Sequence, residues 1–273
     1  MLKVTFDEMP EQTARKASLV ELRVARTDQN SILDLLVRAG IGDRLGEFQW
    51  DRDDDWLTAS DGRTTVSTNQ RSGGIQYRLR PLDEEPGTDV GTSEKALESI
   101  ARAFVDMIGR PSESMGLESI TYLRTLSGGT DDKATVEGKL DAGVIFNRTV
   151  NDIPVIGPGG MVMVKIGTDD AIVGGSEVWR PILGCGAPIN LRTPDEAVAL
   201  LERRLRKLGL EGEACVRKAR FGYFEMGIDE PQRLLEPCYL FIVETVGKRL
   251  DVKKVELVPA ARIGPMAAAF AAG

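Results

Sequence analysis

The chain contains no histidine among its 273 residues. This absence excludes the Ser–His–Asp and Cys–His arrangements that activate a nucleophile, and it excludes HExxH zinc sites and histidine-based acid–base catalysis. Carboxylates, lysine, tyrosine and cysteine could still carry chemistry, so catalysis is disfavoured rather than excluded. The composition therefore favours a binding function over an enzymatic one.

Cysteines and long apolar runs are also scarce. Cys185, Cys215 and Cys238 lie far apart without a CxxC pair, so neither a zinc ribbon nor a disulfide framework is indicated. No run approaches the ~18 apolar residues of a membrane span, and the N-terminus has no apolar signal region. We therefore expect a cytoplasmic protein that uses no metal, no cofactor and no membrane.

The charge balance is acidic. The net charge is −7 and the sequence pI is about 5.0, whereas nucleic-acid binding needs a basic surface, so no nucleic-acid partner is expected. Asp51, Asp53 and Asp55 resemble the first half of a calcium loop. The glycine and the final glutamate of such a loop are missing, which favours a solvated acidic loop.

Hydrophobic periodicity predicts the local structure. Apolar residues recur at helical spacing within residues 27–43, 92–109 and 193–209. Short β-rich runs separated by turn residues predict antiparallel strands within 47–80, and more strand-like runs follow each of the two later helices. The acidic, Pro- and Gly-rich stretch 81–92 is typical of a linker.

The order of these elements predicts an α+β fold. The two later helices and the strands after them align as a divergent repeat. We therefore expect a small N-terminal α+β domain (1–90), followed by two repeated helix-on-antiparallel-sheet modules (91–190 and 191–273).

The stretch "VIFNRTVNDIPVIGPGGMVMVKIG" contains a Gly- and Pro-rich motif, GPGG, that resembles a phosphate-binding loop at first sight. GPGG at 157–160 lacks the Lys-Ser/Thr of a phosphate loop, and it opens a strand instead of a helix. We therefore interpret it as a turn between two strands. Pro154 and Pro158 cannot donate to a strand ladder, which predicts that this segment lies at a sheet edge or in a loop.

The same stretch carries a resemblance to a known family. "NDIPV", "MVMVKI" and "TDDAIVG" resemble the turn, the strand and the hairpin of PepSY and fungalysin/thermolysin-propeptide (FTP-like) modules. "LEPCYLFIVETVGKRLDVKKVELVP" resembles part of a second such module. The resemblance covers roughly residues 92–260. Such modules usually occur in secreted or membrane-attached proteins, and this sequence departs from that pattern because it shows no export signal.

The resemblance implies binding or inhibition of a partner protein rather than catalysis. A cytoplasmic version could present a peptide to a modifying enzyme, as peptide-guiding accessory proteins of ribosomal-peptide pathways do, for example in crocagin biosynthesis. The resemblance thus implies an accessory, biosynthetic role with a peptide or protein segment as the partner.

The predicted function is non-catalytic peptide binding at an exposed sheet edge, where main-chain hydrogen bonds supply affinity. A free edge could also pair with a second copy to give a homodimer. Two alternatives stay open: an enzyme with carboxylates between the modules, drawn from Asp141, Asp152, Glu225, Glu236 and Glu244, and a self-associating structural protein. The candidate peptide-binding residues are Phe146, Arg148, Ile153, Val155, Trp179 and Tyr239.

Overall fold

The computed structural model describes residues 2–23, 28–80, 90–110, 114–128, 134–208, 212–246, 251–266 and 268. Its α-helices are α1 (Gln29–Arg38), α2 (Glu94–Met107) and α3 (Pro194–Lys207), and a 3-10 helix spans Gly42–Glu47. Its strands are β1 (Lys3–Phe6), β2 (Lys16–Ala17), β3 (Val20–Leu22), β4 (Gln49–Asp53), β5 (Trp56–Ser60), β6 (Thr65–Asn69), β7 (Ile75–Arg78), β8 (Met115–Gly128), β9 (Ala134–Val150), β10 (Ile153–Ile156), β11 (Met161–Gly167), β12 (Ile172–Val178), β13 (Ile182–Cys185), β14 (Ile189–Asn190), β15 (Glu213–Phe224), β16 (Leu234–Val246) and β17 (Asp251–Pro259).

The three predicted helices are confirmed, and their first turns are set by capping residues. α1 begins after Asp28, whose side chain accepts a hydrogen bond from the Ser31 backbone N–H. α2 begins after the capping residue Ser93. α3 begins with a capping box, in which Thr193 and Glu196 each bond the other's backbone. None of the helices in the described ranges has the length and apolar character needed to cross a membrane.

Most of the protein is one large mixed sheet of 15 strands. Among the described residues, far more lie in strands than in helices. The strand order is β13–β3–β16–β15–β10–β9–β11–β12–β7–β6–β5–β4, with β1 beside β15, β17 beside β16 and β8 beside β9. The neighbours are antiparallel except at β15, where β1 and β10 run parallel to it. A separate small sheet pairs β14 with β2.

The expected α+β fold, with an N-terminal domain and two repeated helix-on-sheet modules, is therefore wrong. Strands from all three expected regions pair within the same sheet: β1 lies beside β15, β3 beside β16, and β7 beside β12. Periodicity identifies a strand but not a partner that is remote in sequence. The division at 1–90, 91–190 and 191–273 stays a prediction, and residues 81–89 of the expected linker lie outside the described residues.

The helices and the sheet enclose two hydrophobic cores. The first packs α1 and α2 against β5–β9, β11 and β12. The second packs α3 against β15, β16 and their neighbours. β9 reaches both, because Phe146 belongs to the first core and Val150 to the second. The end of β9 is thus the place where the two cores meet.

A tight hairpin joins β9 to β10 at this junction. Its two loop residues, Asn151 and Asp152, have positive φ angles of 50° and 62°, and Val150 pairs with Ile153. Positive φ at both central residues is typical of a type I′ hairpin turn, and short polar side chains tolerate it best. The sequence run "NDIPV" is therefore a hairpin turn.

The strand β10 lies inside the sheet, so the expected sheet edge or loop is wrong for Pro154, whereas Pro158 lies in the loop between β10 and β11, as expected. β10 pairs with β9 through Ile153 and Pro154, and with β15 through Val155 and Ile156. Proline is compatible with this position because β15 pairs only with the later residues Val155 and Ile156, so residue 154 is not required to donate a ladder bond to β15. GPGG then connects β10 to β11, which confirms its interpretation as a turn.

Candidate functional site

The strand β15 is fully paired along one side only. On that side it lies antiparallel to β16 from Glu213 to Phe224. On the other side β1 pairs with it as far as Val216, and β10 pairs with it only from Tyr223 onward. No strand of the described ranges pairs with residues 217–222 on that side. The unpaired main-chain groups of such a gap can hydrogen-bond to another extended segment.

A cleft of about 350 Å³ lies beside this gap. Its lining comes from residues 219–221 of β15, from 154–156 of β10, and from the adjacent ends of β8 and β9. Glu8 and Glu11, which follow β1 in the chain, complete the lining. The cleft is therefore bordered by both strands that flank the gap in the ladder.

Arg220 and Glu118 form an ion pair in the cleft. The Arg220 guanidinium donates to the Glu118 carboxylate across the cleft at 2.5 Å, and the Asn147 amide donates to the other Glu118 oxygen at 3.2 Å. Both side chains of the ion pair are about one-third exposed, and a pair this accessible contributes about 0–1 kcal/mol. A ligand could therefore replace this contact at little cost in free energy.

A buried ion cluster lies where the cleft meets the two cores. Arg148 donates to one oxygen of Glu225 at 2.6 Å, and Arg180 donates to the other oxygen at 2.9 Å. The exposed fractions of these side chains are 3%, 0% and 1% for Arg148, Glu225 and Arg180. The Arg148 guanidinium also lies 5.0 Å from the centre of the Trp179 ring. Two arginines thus share one carboxylate that has no contact with solvent.

Backbone carbonyls satisfy much of the excess positive charge in this cluster. Arg148 donates to the Arg180 carbonyl at 2.8 Å. Arg180 donates to the carbonyls of Met226, Gly227 and Glu230 at 2.6–2.9 Å. These bonds tie the segment that follows β15 to the ends of β9 and β12, which fixes one side of the cleft.

The GPGG turn packs directly on Glu225. The Gly159 N–H donates to the Glu225 carbonyl, and the Glu225 N–H donates to the Ile156 carbonyl, both at 3.0 Å. A Cβ atom on Gly160 would lie 2.8 Å from a Glu225 carboxylate oxygen. Glycine is therefore required at position 160 by a close approach to the ion cluster.

The structure places most of the six predicted site residues away from solvent. Phe146 is 1% exposed in the first core, and Ile153 and Tyr239 are buried in the second. Only Arg148 and Val155 line the cleft, and both are buried side chains. Trp179 is half-buried and packs against the first core. A peptide-binding role for Phe146, Arg148, Ile153, Val155, Trp179 and Tyr239 stays a prediction.

Sequence patterns gave no signal for the gap in the ladder, but they did contain one for the ion cluster. Val144, Phe146, Arg148 and Val150 alternate along β9, and all four are buried. A charged residue in the buried phase of a strand needs a buried partner of opposite charge. The missed partner is Glu225, which sequence reasoning placed only among the possible carboxylates.

The other titratable groups do not form an obvious reactive centre. The described residues contain no group of three or more Asp, Glu or Cys side chains placed to hold a metal ion. Burial raises the pKa of the Cys238 thiol, which keeps it protonated. The Arg217 guanidinium, by hydrogen bonding, lowers the pKa of the Glu244 carboxyl. The carboxylate of Glu225 is enclosed by arginines.

Comparison with known proteins shows the fold alone. No family model matches the chain, and no curated protein matches it. Among solved structures, the chain is similar to an uncharacterized protein from Eubacterium rectale, with a TM-score of 0.59 and 9% sequence identity. The match covers 95% of this chain and 88% of that chain. The large mixed sheet is therefore an arrangement that another protein shares.

Proposed function

We propose that the protein binds an extended peptide segment without catalysis, and that the peptide lies along residues 217–222 of β15. The observation that carries this proposal is the gap in the ladder between β1 and β10. A bound strand would supply hydrogen-bond partners to main-chain groups that the flanking strands leave unpaired. The six residues of the gap match a strand of about 20 Å.

The cleft supports this proposal by its position and its chemistry. It borders the gap at residues 219–221 and is large enough for a few side chains. Arg220 and Glu118 offer polar contacts to those side chains. The absence of histidine and the enclosure of Glu225 favour binding over chemistry. Presentation of the bound peptide to a modifying enzyme is the cellular role that we propose for this site.

The test is selection of octapeptides on the immobilised protein, followed by amide hydrogen exchange with the best binder. We expect exchange to slow at residues 217–222 and to stay unchanged at β4 and β5. Arg220→Glu places a second negative charge against Glu118, so it should weaken binding about tenfold. Arg203→Glu, on the exposed side of α3, is the matched control and should leave the affinity unchanged.

Two outcomes would contradict the proposal. One is a peptide that binds without slowing exchange at 217–222. The other is equal weakening by Arg220→Glu and Arg203→Glu, since only the first residue lines the cleft. Light scattering on the same samples tests the alternative occupant, a second copy of the chain. The gap would be assigned to self-association by two results together: a dimer that the peptide does not dissociate, and slow amide exchange at residues 217–222 when no peptide is present.

A further inference from the structure

A second cavity lies on the opposite part of the sheet, on the face that α2 does not cover. Val66, Tyr77 and Val164 point into the first core. There the ring centroids of Tyr77 and Phe104, a residue of α2, lie 5.7 Å apart. Side chains alternate along a strand, so the residues beside these three point to the other face. A cavity of about 500 Å³ lies on that face and is lined by β6, β7, β11 and β12.

The strand register places polar residues of this face in two adjacent rows. The first row crosses four strands as Thr65, Arg78, Gly174 and Lys165. The second row crosses the same strands as Ser67, Gln76, Ser176 and Met163. All eight residues line the cavity. The floor of the cavity therefore carries the donor side chains of six residues, together with Met163 and one glycine.

Gly174 separates the two cations of the first row. Neighbouring strands lie about 4.8 Å apart, so the backbones at Arg78 and Lys165 are about 10 Å apart with Gly174 between them. A Cβ atom on Gly174 would lie 2.7 Å from the Tyr77 carbonyl oxygen, a distance that real Cβ atoms essentially never show. The position thus requires glycine, and no side chain stands between the two cations.

The charge of this cavity is opposite to that of the protein. The chain carries a net charge of −7, yet the cavity lining contains Arg78 and Lys165 and no carboxylate. Arg78 donates to the Thr65 hydroxyl at 3.0 Å. Lys165 is exposed, and the described part of the chain provides it with no ion pair. Two cations without a carboxylate at close range create a local positive potential.

We propose that this cavity binds a small molecule through an oxyanion group, a phosphate or a carboxylate. Arg78 and Lys165 supply charge from the two sides of Gly174, and the hydroxyls of Ser67 and Ser176 donate from the second row. Guanidinium, ammonium and hydroxyl groups form the short, charge-assisted bonds that oxyanions accept. The cavity volume is in the range of small-molecule sites. This proposal is independent of peptide binding, because no residue of the cleft lines this cavity.

The test is titration of the full chain with inorganic phosphate and, separately, with succinate, followed by amide NMR shifts. We expect saturable shifts at Lys165, Gly174 and Ser176. Lys165→Met removes the charge and keeps the length of the side chain, and it should weaken binding about tenfold or more. Lys207→Met, an exposed lysine at the end of α3, is the matched control and should have no effect.

Each outcome decides the proposal. Binding of phosphate alone or of succinate alone supports it and identifies the oxyanion group. Shifts that fail to saturate at Gly174 with both probes overturn it, as does equal weakening by Lys165→Met and Lys207→Met. Because Lys165 is exposed on a strand whose opposite side chains form the core, its variant should fold. Unchanged amide shifts in the rest of the Lys165→Met spectrum would verify that this variant is folded.

Discussion

The buried ion cluster predicts a large loss of stability when its single carboxylate loses its charge. Glu225→Gln keeps the size of the side chain but leaves Arg148 and Arg180 without a counter-ion. The glutamine also carries only one oxygen, so its NH₂ group must face the N–H groups of one arginine. Both arginines are 3% exposed or less, so water cannot easily replace the lost contacts.

The magnitude follows from the two contacts of 2.6 and 2.9 Å. At an effective dielectric constant of about 20, each contributes roughly 6 kcal/mol of Coulomb attraction. Desolvation and repulsion between the arginines offset part of this sum. Removal of one partner from a buried pair costs about 3–5 kcal/mol, and we expect Glu225→Gln to fall in this range.

Urea unfolding followed by tryptophan fluorescence measures this loss, since Trp179 contacts Arg148 in the cluster. We expect the midpoint to fall by about 1 M or more. The matched control is Glu202→Gln, which removes the exposed pair with Arg206 on α3 and should cost less than about 0.5 kcal/mol. Equal midpoint shifts for the two variants would refute the argument that burial makes the Glu225 contacts essential.

Two further predictions concern Gly160 and Glu236. Gly160→Ala should lower the free energy of unfolding in urea by about 2 kcal/mol or more, because φ is +64° and the new Cβ would overlap the Val155 side chain. The control is Gly46→Ala, which has open space around it and should lower the free energy of unfolding by less than about 1 kcal/mol. Burial raises the pKa of Glu236 above 4.5, partly offset by the Met266 N–H. The Glu236 carboxyl therefore holds its proton more tightly in the folded state than in the unfolded state. The stability that results is fully present below about pH 4.5, and it is lost as the pH rises through the pKa of the folded state. Glu236→Gln cannot ionise, so its urea midpoint relative to the natural protein should rise between about pH 4 and pH 7; a pH-independent difference would contradict this.

Local structure could be predicted from the sequence because its causes are local. α3 has its cap, its first-turn proline and its apolar stripe within residues 193–207, and all of them act over one or two turns. The "ND" turn at residues 151–152 likewise follows from two residues that tolerate positive φ. These signals need no knowledge of distant parts of the chain.

The sheet could not be predicted in the same way. Val155 pairs with Tyr223, and Lys3 pairs with Glu213, so the strands that define the gap meet across long separations in sequence. Alternating hydrophobicity is the same for a strand with one partner or two. The candidate site residues failed to mark the cleft for a related reason. An apolar residue such as Phe146 or Tyr239 has the same pattern in a core as in a groove.

The ion cluster explains why a gap in the ladder can persist at this point of the sheet. On β9, Arg148 is the buried side chain between the residues that belong to the first core and those that belong to the second. An apolar side chain at this position would need no buried partner of opposite charge. The charge of Arg148 requires Glu225, and Glu225 in turn bonds β10 through the Ile156 carbonyl. β10 is thus held against the last residues of β15 and cannot slide along the strand to cover residues 217–222. We therefore expect Glu225→Gln to raise amide exchange at 223–224 more than at β16, and to weaken the proposed peptide binding even where the variant remains folded.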